Sequence, residues 1–185
     1  MIETVLAHVA NQIKADAPYL SKVGGYAWPQ SIRVQDRVKI LPACASDTGP
    51  EWMVPETKES AVVFFEANEA TSEYQSVNTS IFKCPARLIV WLNTQRLAGS
   101  PDQIRADILR SIQSEIANTH PFNRIRCRVT SYNSGPGIFS RYTFDEAETQ
   151  HLMPPFAYFA VNIDVTFAVS PACVFETVNQ TAPQC

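Results

Sequence analysis

The chain has 185 residues, 45% of them hydrophobic, and 15 basic against 18 acidic residues give a net charge of −3. That is one domain of ordinary size, with enough apolar material for a full core without disulfide or metal staples. A charge so near neutral gives no global case for nucleic-acid or membrane-surface binding. In the first element, residues 2–16, Ile2, Val5, Leu6, Val9 and Ile13 recur at spacings of three and four. This is one stripe of an amphipathic helix, ended by Pro18. The same run has neither the basic start nor the unbroken apolar core of an export signal. No stretch of the chain approaches transmembrane length.

"GGYAWPQ" then reads as a connection, and residues 31–41, "SIRVQDRVKIL", as a half-buried strand. In that strand Ile32, Val34, Val38 and Ile40 oppose Arg33, Gln35, Arg37 and Lys39, with Asp36 interrupting. A loop rich in Pro, Gly, Asp and Ser is expected from Pro42 to about Lys58. "SAVVFFEA", 60–67, is β-branched and aromatic and reads as a strand. The polar run 68–80 reads as a long hairpin tip. In "RLIVWLN" Leu88, Val90 and Leu92 face one way, and Arg87, Ile89, Trp91 and Asn93 the other. Bulk on both faces predicts a strand that is central, or covered on both sides.

Ser100, Pro101 and Gln103 form a capping-box start for a second helix, with Asp102 adding charge that the helix dipole favours. Ile104, Ile108, Leu109, Ile112 and Ile116 are its expected buried stripe, and Pro121 its expected stop. In "NRIRCRVTSY" Ile125, Cys127 and Val129 point inward and Arg124, Arg126 and Arg128 outward. A long segment, 133–155, precedes "YFAVNIDVTFAV". There Phe159, Val161, Ile163, Val165, Phe167 and Val169 make an apolar row against a flat, mildly polar row that includes Asn162, Asp164 and Thr166.

The expected fold is therefore α+β: a mostly antiparallel sheet packed on two amphipathic helices, in the order α-β-β-β-α-β-β, with long loops. Residues 1–170 form one domain and 171–185 a C-terminal extension. Five cysteines, an odd number without a C-x-x-C pair, fit a reduced, cytosolic chain. His8, His120 and His151 lie near no cysteine and build no local triad. No catalytic, cofactor or metal residue is assigned, and the chain is expected not to be an enzyme.

Two features have more than one reading. The arginine row 124–126–128 is either a surface for phosphates or a neighbouring subunit, or a solvated face paired across strands to Asp164 or Glu66. Trp91 either anchors an interface or lies beneath the segment 133–155.

The order of elements, with strands of the "RLIVWLN" and "YFAVNIDVTFAV" kind, resembles the tail-terminator and neck-ring proteins of tailed bacteriophages. The resemblance covers most of residues 1–170 and is one of pattern, so it carries no individual functional residue. It implies a virion protein, made in the host cytoplasm, that forms a homo-oligomeric ring, commonly a hexamer. Such a ring sits at the head–tail junction or at the head-proximal end of the tail. It stops tube growth or joins head to tail, touches connector, portal-side or tail-tube proteins, and passes DNA through its lumen. The long segment 133–155 and the extension depart from the pattern. On this reading the subunit-interface or lumen residues are Arg87, Trp91, Arg124, Arg126, Arg128, Asn162, Asp164 and Thr166. The alternative is a small soluble enzyme or a monomeric binding module of unknown substrate.

Overall fold

A computed structural model of the chain describes residues 1–34, 37–46, 49–56, 58–76, 79–97, 99–119, 122–143 and 152–169. Helix α1 spans Ile2–Asp16, followed by strands β1 (Lys22–Val34), β2 (Arg37–Ser46), β3 (Gly49–Trp52), β4 (Ala61–Ala67), β5 (Thr71–Gln75) and β6 (Ser80–Asn93). Helix α2 (Pro101–Gln113), β7 (Ile116–Thr119), β8 (Phe122–Ser134), a 3-10 turn (Pro136–Phe139) and β9 (Phe156–Val169) complete it. The strands make one sheet in the order β3-β2-β1-β4-β6-β9-β8-β7, with β5 pairing β6. Only β1 and β4 run parallel. The α+β class with two helices on a mostly antiparallel sheet therefore stands, but the element order is richer in strands than expected.

The extra strands have identifiable causes. Gly24 and Gly25 suggest a turn, yet both lie inside β1. A Cβ on Gly24 would meet Cys44 Sγ at 2.7 Å and Met53 Cε at 2.8 Å, and one on Gly25 would meet the Ala7 backbone at 3.2 Å. The glycines are there because α1 and the β2–β3 layer close on the strand from opposite sides. Residues 31–41 are not one strand but the two sides of a hairpin, with Val34 opposite Arg37. The expected loop 42–58 holds the end of β2 and all of β3, paired from Ala43↔Trp52 to Ser46↔Gly49. Gly49, with φ of 116°, supplies the left-handed backbone there. The run 68–80 does form a hairpin, closed by Gln75 opposite Ser80.

Helix α2 starts as its sequence dictates: the Ser100 side chain accepts from the Gln103 N–H. Its end is a correction. The helix stops at Gln113, well before Pro121, and Ile116 opens β7. Ser114 Oγ donates to the Ser111 carbonyl at 2.6 Å, a local bond that competes with another helical turn. His120, His151 and the extension 171–185 lie outside the described residues.

One face of the sheet carries the main core. The apolar row of β9, Leu88, Val90 and Leu92 of β6, and Val63 and Phe65 of β4 meet Val5, Leu6, Val9 and Ile13 of α1 and Ile104, Ile108 and Ile112 of α2. Cys127 and Val129 are partly buried against it. Burying this row is what fixes strand register, because a slip of one residue would turn every polar residue of β9 inward.

Candidate functional site

The other face of the same strands is where the site residues gather. The ladders set Arg87 beside Asn162, Pro85 beside Asp164, and Lys83 beside Thr166 across β6 and β9. Across β9 and β8 they set Arg128 beside Asp164, Arg126 beside Thr166 and Arg124 beside Ala168. Seven of the eight sequence-selected residues, all except Trp91, thus share one stretch of this face.

Trp91 belongs to a different environment. It is 1% exposed, and its ring stacks on Phe139 at a centroid distance of 4.3 Å. Phe139, Ile138 and Tyr142 form a strap that covers Trp91, Ile89, Phe64 and Ala160. Of its two readings, the structure shows burial beneath the segment 133–155, and Trp91 offers no surface to another subunit. The described parts of that segment are 133–143 and 152–155, and the N–H of Thr143 donates to the Ile40 carbonyl at 2.8 Å.

At the strap's rim lies a buried carboxylate. Glu66, only 4% exposed, accepts from Arg87 Nη2 at 2.6 Å, from Arg87 Nε at 3.1 Å and from the Tyr142 hydroxyl at 2.5 Å. Arg141 Nη1 approaches the same carboxylate at 3.5 Å. Arg87 Nη2 also donates to the Ile138 carbonyl at 3.0 Å, so one guanidinium ties β4, β6 and the strap together. Burial, then the charge of Glu66, drives the Tyr142 hydroxyl well above the ordinary tyrosine range. A carboxylate so enclosed is tolerable because both oxygens are bonded and at least one cation is in contact. Beside it opens a depression of about 370 Å³ lined in part by Glu66, Arg87, Arg141, Asn162 and Asp164.

Beyond this rim the face is polar and open, and its charges are largely matched. Glu115 receives Arg124 Nε at 2.7 Å and Arg126 Nε at 2.5 Å, one carboxylate oxygen each. Lys83 Nζ lies 3.1 Å from Asp164 and 3.9 Å from Glu73. Arg128 has no ion-pair partner among the described residues. Asn162 Nδ2 donates to Ser131 Oγ at 2.8 Å, across a register shift between Val129 and Ser131. Arg124 and Arg126 are thus paired, but with Glu115 rather than the expected Asp164 or Glu66, which pair instead with Lys83 and with Arg87. Glu115 was not singled out in the sequence because the helix was expected to continue past it. Its one legible signal is an acid directly before an arginine-rich strand.

Among the described residues no group of three His, Cys, Asp or Glu side chains is placed to hold a metal ion. Nor, among those residues, is any helix long and apolar enough to cross a membrane. His8 packs edge-on against Phe122, 6.0 Å between centroids, on the helix side of the sheet. No protein-family model matches the chain, and no curated protein sequence matches it.

Proposed function

We propose that the protein is a structural virion subunit that assembles into a homo-oligomeric ring, with a hexamer favoured. The ring is the connector at the head–tail junction or the terminator at the head-proximal end of a phage tail, with DNA passing through its lumen. On this reading it performs no catalysis and takes no cofactor. Its neighbours are connector, portal-side or tail-tube proteins.

The observation that carries this reading is the half-open sheet face. Asn162, Asp164 and Thr166 are half-buried, small or short, and flanked by long cations, while the opposite face of the same strand is sealed by both helices. A short polar row between charged rims suits a close, wet contact with another protein surface. The pairing of Arg124 and Arg126 with Glu115, and of Lys83 with Asp164, favours a neighbouring subunit over DNA as the occupant. A phosphate-tracking surface gains its affinity from cations that are free to release counterions, and these are already matched.

Native mass measurement at high concentration, with negative-stain images of the same sample, tests the reading. Closed rings of fixed subunit number are the expected result, and a monomer at the highest soluble concentration counts against it. The depression beside Glu66 and Arg87 supports the second reading, a monomeric binding module. That reading predicts a monomer whose melting temperature rises with a small polar ligand.

A further inference from the structure

Two strands of this molecule end in open edges of opposite charge. The first belongs to the arm formed by β1 and β2. Pairing with β4 stops at Tyr26, and pairing with β3 starts only at Ala43. Between them, among the described strands, Gln30–Val34 and Arg37–Leu41 have only each other as ladder partners, and the Thr143 N–H donates to the Ile40 carbonyl. A two-stranded ribbon is at best marginally stable alone in water. This one leaves Val38 63% exposed at its distal end. It carries Arg33, Arg37 and Lys39 against a single acid, Asp36, in a chain that is acidic as a whole. Arg33 and Arg37 are exposed and have no ion-pair partner among the described residues.

The second edge is β5. It continues along β6 where β4 leaves off: β4 pairs β6 from Leu92 to Ala86, and β5 from Lys83 to Ser80. All five residues of β5 are exposed, Tyr74 at 57%. Its other edge pairs with no strand among the described residues. With the approach to it, β5 carries Glu69 and Glu73 and no base.

Because β1 runs parallel to β4, the arm heads in the direction of β5, yet the two do not pair: the sheet forks after Tyr26. We infer that the cationic β1–β2 arm of one copy docks along the acidic β5 edge of the next. Arg33 and Arg37 then meet Glu69 and Glu73, and Val38 is covered beside Tyr74. An open strand edge is a template for another strand, and opposite charges along the two edges select this partner over a like edge. The contact joins two different patches, so it is head-to-tail, and it closes into a ring where its rotation closes and into a filament otherwise. It rests on the ring reading to the extent that both assign the contact to copies of this chain.

Charge exchange between two variants tests it. R33E/R37E makes the arm acidic, and E69K/E73K makes the β5 edge basic. All four residues are exposed, and circular dichroism melts verify that each variant folds like the parent. Sedimentation velocity and native mass should show each variant alone weakened in self-association by roughly tenfold or more. An equimolar mixture should regain assembly, with the two variants alternating. Unimpaired assembly of either variant overturns the inference while leaving the ring reading standing. So does a mixture that fails to recover. A wild-type chain that stays monomeric overturns both.

Discussion

On the second face of the sheet β6 and β9 run through two halves with opposite fates. Toward one end the outward residues are Val62, Phe64, Ile89, Trp91 and Ala160, and the strap at Ile138–Tyr142 covers them. Toward the other they are Lys83, Asp164 and Thr166, of which Asp164 and Thr166 stay half-buried. The same two strands carry apolar outward residues at one end and polar ones at the other, and the strap covers the apolar end. Apolar area removed from water stabilises the covered half by about 25 cal/mol per Å². The polar half would forfeit hydration if a strap lay on it without matched partners. The Glu66–Arg87–Arg141–Tyr142 cluster marks the boundary, where the strap ends in polar ties.

The covered half can be broken most strongly at its centre. Trp91→Ala removes the ring that stacks on Phe139 and leaves a cavity under the strap. A loss of about 3–5 kcal/mol is expected from chemical denaturation, with earlier amide exchange across residues 137–142. A loss under about 1 kcal/mol would mean that the strap is not part of the cooperative fold. Next in size is Tyr142→Phe, which keeps the ring and deletes one donor to a buried carboxylate. About 1.5–3 kcal/mol is expected.

Its pH dependence has a definite sign. The folded state holds the Tyr142 hydroxyl far above its ordinary value of about 10. The stabilisation is therefore full below that value and lost as pH rises above it. The gap between wild type and Tyr142→Phe should narrow in that alkaline range, and a constant gap would show that the hydroxyl is not held neutral by burial beside Glu66.

The two halves also differ in how legibly the sequence announced them. Local signals were sufficient where the cause is local, as in the Ser100–Gln103 cap and the alternation of "YFAVNIDVTFAV". Bulk on both faces of β6 correctly implied a strand that is central, or covered on both sides, since parity is a property of the strand itself. What the sequence hid was tertiary. Gly24 and Gly25 look like a turn, and only the approach of Ala7, Cys44 and Met53 makes them a strand. Pro42 likewise disguised the end of β2 as loop, and Gly49 the start of β3. Glu66, a lone acid at the end of "AVVFFEA", was expected to pair with the arginine row 124–126–128, but it pairs with Arg87, and its tie to Arg141 and Tyr142 crosses some 75 residues of chain. Glu115 was obscured by the helix stripe running on to Ile116, which is buried in spacing but belongs to β7.

The open half yields the smallest stability effect and the sharpest functional one. Asp164 sits between Lys83, 3.1 Å away, and Arg128, its register neighbour on β8. Its side chain remains partly in water, and ion pairs of that kind contribute at most about 1 kcal/mol. Asp164→Lys should therefore melt within a few degrees of wild type, in contrast to the changes beneath the strap. It does, however, place a third cation beside Lys83 and Arg128, and it removes the one acid in the centre of the polar row. If this half is a contact surface, that cluster repels whatever the parent row accepts, and ring formation by native mass should fall steeply while the monomer stays folded. Undiminished assembly of Asp164→Lys would show that the row faces solvent, and the assembly surface would then have to be sought at the strand edges alone.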